Sequence, residues 1–118
     1  MMHEESKIQQ VCVKWFCYQY PEYRNVFGSS TNGVATSATQ GRILKAEGIL
    51  PGEADLHLYV AKKGFHGLFI EMKTDIGRQS NTQKFFESAV SKNGYKYVIC
   101  RSIVDFMKII KYYLNEDK

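Results

Sequence analysis

Apolar and polar positions recur with two different periods along this chain, and the changes of period mark out its elements. From about Glu5 to Tyr20 the apolar residues Ile8, Val11, Cys12, Trp15 and Phe16 fall three and four apart, which predicts an amphipathic helix. Pro21 comes just after the pattern and fits its stop. Asn25 to Phe27 reads as a short strand. The stretch Gly28 to Gly41 carries no charged residue, is rich in Gly, Ser and Thr, and reads as a long flexible loop. Arg42 to Glu47 suits a short helix closed by Gly48. A period of two follows: Leu56, Leu58 and Val60 alternate with Asp55, His57 and Tyr59, as in a strand. A second strand, "GLFIEMK", returns from Gly67. Ser80 with Gln83 forms a capping-box pattern, and Phe85, Phe86, Ala89 and Val90 make the expected buried stripe of the next helix, closed by Gly94. Tyr95 to Arg101 reads as a strand. Ser102 with Asp105 opens a last helix with Ile103, Phe106, Met107, Ile110 and Leu114 on its apolar side.

The order is helix, short strand, two strands, helix, strand, helix. The late strand–helix–strand unit implies parallel pairing through a right-handed crossover. The earlier two strands suit an antiparallel hairpin centred on Lys63, which sets Leu56 opposite Ile70 and Asp55 opposite Glu71. In that register the even-numbered apolar residues share one face, and Asp55, Glu71 and Lys73 share the other. An α/β fold with a mixed central sheet flanked by helices is expected, as a single domain over residues 1–118.

Composition narrows the classes. The chain has 118 residues, 44% hydrophobic, which supplies a core and argues against disorder. Its apolar runs are too short to span a membrane, and the polar, charged start shows no secretory signal. The three cysteines, Cys12, Cys17 and Cys100, form no CxxC pair, so reduced buried thiols in a cytoplasmic protein are expected. A net charge of +4 is compatible with a polyanionic partner without requiring one.

The chemistry concentrates in "GLFIEMKT", Gly67 to Thr74. A strand this apolar carries a carboxylate and an ammonium on one face, at its end. One reading is a solvated strand end with a surface ion pair. The other is a metal site. Two facing carboxylates at about 4 Å repel by about 4 kcal/mol at an effective dielectric of about 20. Lys73 offsets part of that, and a divalent cation between Asp55 and Glu71 offsets more. Mg²⁺ takes oxygen ligands and keeps several waters, so two carboxylates and a main-chain carbonyl suffice. Lys73 can then hold an attacking water or stabilise developing phosphate charge.

"PGEADL", "GLFIEMKT" and "GRQSNTQ", in that order, resemble the VRR-NUC domain of the PD-(D/E)XK nuclease superfamily, in the small stand-alone form of phages and bacteria. The likeness runs from about Glu4 to Leu114. It implies a restriction-endonuclease-like core and Mg²⁺-dependent hydrolysis of DNA phosphodiesters, with Mn²⁺ able to substitute. It implies Asp55, Glu71 and the Met72 carbonyl as metal ligands and Lys73 as the catalytic lysine. Gln83 matches a motif glutamine supporting the site, with helix capping as its other reading. Glu5 matches an acidic residue on the first helix that points to the metal; Glu4 competes for that role. Ala54 departs from the proline that the superfamily name places before the aspartate. Arg78, Lys84, Lys62 and Lys63 are candidate phosphate contacts, or solvated surface. By analogy, a homodimeric, Holliday-junction-type endonuclease is expected, in a bacterial or phage-infected cell. The alternatives are a nuclease for flaps, ends or generic duplex, and a non-catalytic DNA-binding module of the same fold.

Overall fold

The computed structural model describes residues 4–30 and 37–115. Helix α1 spans Glu4–Gln19, and Pro21 opens a 3-10 helix over Pro21–Val26 that leads into strand β1, Phe27–Ser29. Helix α2 spans Ala38–Ala46, β2 Leu56–Leu58, β3 Leu68–Met72, α3 Asn81–Lys92, β4 Lys96–Cys100 and α4 Ile103–Leu114. The four strands form one mixed sheet in the order β1-β2-β3-β4. The β1–β2 and β2–β3 pairs are antiparallel, and β3–β4 is parallel. This is the expected α/β architecture with helices on both faces.

Side-chain alternation divides the interior in two. Leu56, Leu58, Leu68, Ile70, Met72 and Cys100 point to one face and are buried against Cys12 and Phe16 of α1 and Phe106, Ile110 and Tyr113 of α4. The opposite face carries Ala54 and Phe69, packed on Phe86 of α3 with Val90, Tyr95 and Tyr97 around them. Period-two patterning therefore explains why one strand is buried on both sides while its neighbours serve different layers. The Tyr113 hydroxyl donates to the Val60 carbonyl at 2.6 Å, tying the end of α4 to the hairpin.

The expected β2–β3 register holds, with Leu56 opposite Ile70 and Leu58 opposite Leu68. The strand pairs are centred on Lys63, as expected, while the tip of the turn lies half a residue further on. Lys62 bridges Phe65 across a turn whose two central residues, Lys63 and Gly64, have φ of 54° and 84°. Both signs fit a two-residue type I′ turn. One extra residue between Leu58 and Lys62 absorbs the difference, so the apolar faces stay matched.

Three other expectations change. The loop Gly28 to Gly41 is shorter than its composition suggests: Gly28 and Ser29 belong to β1, and Ser37 caps α2 by accepting from the Gln40 N–H at 3.1 Å. Residues 31–36 of that stretch lie outside the described residues. The strand expected at Asn25 begins instead at Phe27, because Pro21 starts a helical turn. In α3, Phe85 is 72% exposed and Ala89 is also exposed. The inward positions are Gln83, Phe86 and Val90, spaced three and four apart. The expected Gly48 terminus of α2 holds: its φ is 98°, its N–H donates to Lys45 and that of Ile49 to Leu44, a Schellman closure.

Candidate active site

The end of β3 is where the sheet, the start of β2 and the first turn of α3 converge. Strand alternation sends Glu71 to the α3 face, and the inward spacing of α3 aims Gln83 back at it one turn before Phe86. The Gln83 Nε2 donates to Glu71 Oε2 at 2.7 Å, while its Oε1 accepts the Ser80 N–H at 2.8 Å. One end of the amide thus completes the helix cap and the other holds Glu71.

Glu71 is only 2% exposed, and Lys73 Nζ lies 3.8 Å from its Oε2, with the Lys73 side chain 11% exposed. A solvated strand end with a surface ion pair does not describe this arrangement. Asp55, immediately before β2, accepts the Met72 N–H on its Oδ2 at 2.7 Å. Its carboxyl also reaches that of Glu71. Burial first, then the charge and hydrogen bonding of Asp55, push the Glu71 carboxyl up to about 8; Lys73 opposes this and Glu5 adds to it. The first helix therefore brings Glu5 within electrostatic reach of the pair, and Glu4 is exposed.

The main chain of Met72 is turned toward the same acids. In an extended strand the N–H and C=O of one residue point the same way. The Met72 N–H meets Asp55, so its carbonyl is directed to that side as well.

Two residues that sequence reasoning passed over complete the setting. The Tyr97 hydroxyl lies 3.5 Å from Glu71 Oε1, and Gln79 Nε2 donates both to that hydroxyl at 3.2 Å and to Glu87 Oε1 at 2.9 Å. The Gln79 donation occupies the acceptor side of the phenol and leaves its proton directed at Glu71. Burial raises the Tyr97 phenol, which keeps it a proton donor. Tyr97 pairs with Phe69 across the parallel β3–β4 ladder, and so shares the face of Glu71. The available signal was its odd-numbered place in β4, but the register of a parallel pair is set by the packing of the crossover helix, not by local sequence.

The basic candidates separate. Arg78 and Lys84 are exposed on the loop before α3 and on its first turn, flanking Gln83. Lys62 and Lys63 are not brought to the acids. They lie at the hairpin turn, at the opposite end of β2 and β3, on the order of 20 Å away at about 3.3 Å per strand residue. Lys63 Nζ there donates to the Asn115 carbonyl at 3.2 Å and lies 4.9 Å from the Tyr112 ring centroid. His57 stacks on Tyr59 with centroids 4.3 Å apart, and its Nδ1 is buried without a hydrogen-bond partner among the described residues. Burial holds its pKa low, so the ring packs as a neutral imidazole.

The donor set suits a hard divalent cation. Burial and the Asp55 charge make the second negative charge of the acid pair costly even beside Lys73, and a divalent cation would stabilise it. Among the described residues no group of three or more His, Cys, Asp or Glu side chains forms a cage. Two carboxylates, a main-chain carbonyl and water match Mg²⁺, which retains much of its hydration. Nitrogen and sulfur ligands of the kind favoured by Zn²⁺ are absent from this cluster.

No protein-family model matches the sequence, and no curated protein matches it. A solved structure described as a VRR_NUC domain protein aligns with a TM-score of 0.81 over 97% of this chain and 90% of its own, at 23% sequence identity. The chain shown here has the fold of that VRR_NUC domain protein.

Proposed function

We propose that this protein hydrolyses DNA phosphodiesters with Mg²⁺, or Mn²⁺ in its place, at the Asp55–Glu71–Lys73 cluster. The observation that carries the proposal is the burial of Glu71 against Asp55 and Lys73, in a fold shared with a VRR_NUC domain protein. A binding module has no need to hold two acids together at a cost of this kind.

Asp55, Glu71 and the Met72 carbonyl would hold the cation. Bound there, it would supply Lewis acidity and lower the pKa of coordinated water. Gln83 and Tyr97 orient the two oxygens of Glu71. Lys73, held at the rim, orients the attacking water and stabilises charge on the phosphate. Glu5 adds negative potential at the acid pair, which holds the Glu71 proton in the metal-free protein and would attract a cation. Arg78 and Lys84 contact the DNA backbone, a salt-sensitive and sequence-independent role. Lys62 and Lys63 take no part at this centre.

The finer reading is a homodimeric endonuclease of the Holliday-junction type, whose two sites make paired cuts across a four-way junction. It rests on the sequence resemblance and on analogy with junction resolvases.

The test is cleavage of a labelled four-way junction beside linear duplex and flap DNA, with Mg²⁺, Mn²⁺ or EDTA, by wild type and Lys73→Ala. Symmetric, metal-dependent junction cuts lost in Lys73→Ala are expected. Equal cutting of all substrates would keep the nuclease and remove the junction preference. DNA binding with no cutting under either metal would favour a non-catalytic module.

A further inference from the structure

Lys73 begins a tight loop that returns against its own side chain. Its main-chain N–H is fixed by the Cys100 carbonyl at 3.0 Å. The Gly77 N–H donates to the Thr74 carbonyl at 3.2 Å, closing a turn. That turn seats Gly77 on the lysine: a Cβ added there would lie 3.3 Å from Lys73 Cδ and 3.3 Å from Thr74 Oγ1. The Lys73 stem is therefore covered by Gly77, and its ammonium emerges beside Glu71.

The loop is itself tied down from the neighbouring strand. Arg101 follows β4 directly, and its main-chain N–H donates to Asp105 Oδ2 at 3.3 Å near the start of α4. Its guanidinium Nη1 donates to the carbonyls of Thr74 at 2.5 Å and Gly77 at 2.9 Å, with the Asp75 carbonyl at 3.4 Å. The two carbonyls it grips most closely are those at the ends of the turn. We infer that Arg101 is a positioning residue for Lys73, acting through the Thr74–Gly77 turn. It closes the turn over the lysine stem and so limits where the ammonium can stand.

The guanidinium meets the turn through a single nitrogen, Nη1. A planar guanidinium presents several donors in fixed directions and stays charged, whereas a lysine ammonium is a mobile point charge on a flexible stem. The two N–H groups of Nη1 serve the Thr74 and Gly77 carbonyls most closely, in the plane of a group whose orientation the rest of the guanidinium fixes. With Arg101 engaged in this way, its charge is directed into the protein toward dipoles of the loop, not outward toward a phosphate.

The catalytic part of this inference rests on the proposed nuclease function, but the link between Arg101 and Lys73 is tested separately from it. The full-length chain is prepared as wild type, Arg101→Lys and Arg101→Met, with thermal unfolding as the check of folding. The order of the Lys73 ε-methylene is measured by ¹³C relaxation in the metal-free protein. Turnover is measured on four-way-junction DNA with Mg²⁺ at several salt concentrations. Folded variants should show a more mobile Lys73 and a kcat lowered about ten- to a hundredfold, with KM and its salt dependence near wild type. A Lys73 as ordered as in wild type would overturn the inference. So would an unchanged kcat with a raised KM and a shallower salt slope, the signature of a phosphate contact. If wild type cuts no DNA, the proposed function fails, while the relaxation measurement still decides for or against Arg101. If both Arg101 variants unfold, Gly77→Ala probes the same contact from the loop side. Displacement of Lys73 with reduced kcat would then support the inference, and an undisturbed Lys73 would overturn it.

Discussion

Gln83 Nε2 sits 2.7 Å from Glu71 Oε2, so the residue that completes the Ser80 capping box of α3 also supplies a hydrogen bond to a nearly inaccessible carboxyl group. Helix formation and site geometry are coupled through one side chain. Separating the two roles gives a direct prediction. Ser80→Ala removes the cap but spares the bond to Glu71, and is expected to cost about 1 kcal/mol in denaturant unfolding with most cleavage retained. Gln83→Ala also leaves Glu71 without this donor, and should cost about 1–3 kcal/mol more while lowering cleavage well below Ser80→Ala. Equal activity in the two variants would show that the bond to Glu71 does not matter.

The second prediction concerns pH. Glu71 titrates near 8 in the folded protein and near 4.5 as an unperturbed carboxyl. Between these values the folded state holds the extra proton, so stability falls as pH rises. The stabilisation is fully present below about 4.5 and is lost on passing through about 8. At about 1.4 kcal/mol per unit the effect is on the order of a few kcal/mol. In EDTA, the metal-free protein is expected to unfold more easily at pH 8.5 than at pH 5.5, and Glu71→Gln should flatten that dependence. Mg²⁺ competes with the proton, so cleavage should rise with pH over the same window. A wild-type stability that climbs from pH 5.5 to 8.5 in EDTA would contradict this.

The approach of the "LPGE" turn to α3 supplies the third. Gly52 has φ of 72°, and a Cβ there would lie 2.3 Å from the Thr82 carbonyl oxygen and 2.7 Å from the Gln83 nitrogen. Backbone on backbone cannot relax as a flexible side chain can. Gly52→Ala is therefore expected to destabilise by roughly 1–3 kcal/mol and to displace Gln83 from Glu71. Denaturant unfolding together with cleavage measures both. Unchanged values would place the turn differently from the arrangement described.

Cysteine reactivity gives a fourth. Cys12 and Cys100 are fully buried and lie against each other, and the Cys100 Sγ faces the Ser102 carbonyl at 3.2 Å. The hydrogen bond with Cys100, then burial, pushes the Cys12 thiol far up. Cys17 is half-buried on α1. Native protein treated with iodoacetamide should be labelled first at Cys17, with Cys12 and Cys100 protected until unfolding. Early labelling at Cys100, read by peptide mass, would show that this layer opens.

Much of this protein was legible in one dimension. The alternation in Leu56–Leu58 and Leu68–Met72 fixes a register, because a slip of one residue would turn a set of buried leucines to the wrong face. That register alone places Asp55 beside Glu71. The Ser80–Gln83 and Ser102–Asp105 starts are local hydrogen-bond patterns and were readable for the same reason. None of the described helices is long and apolar enough to cross a bilayer.

Other features are decided only when distant segments meet. The burial that lifts Glu71 comes from α3 packing over the sheet, and Tyr97 joins Glu71 through a parallel register that no local pattern specifies. Phe85 and Phe86 are equally apolar in sequence, yet the angle at which α3 lies on the sheet buries only the second. Lys62 and Lys63 resemble Arg78 and Lys84 in composition, but the hairpin carries the first pair to the far end of the sheet. Arg101 looks like any residue after a strand until the chain returns with the Thr74–Gly77 turn beside it. Sequence settles what nearest neighbours and a simple period can enforce. Charge environment, and the choice among similar residues, depend on which surfaces the folded chain brings into contact.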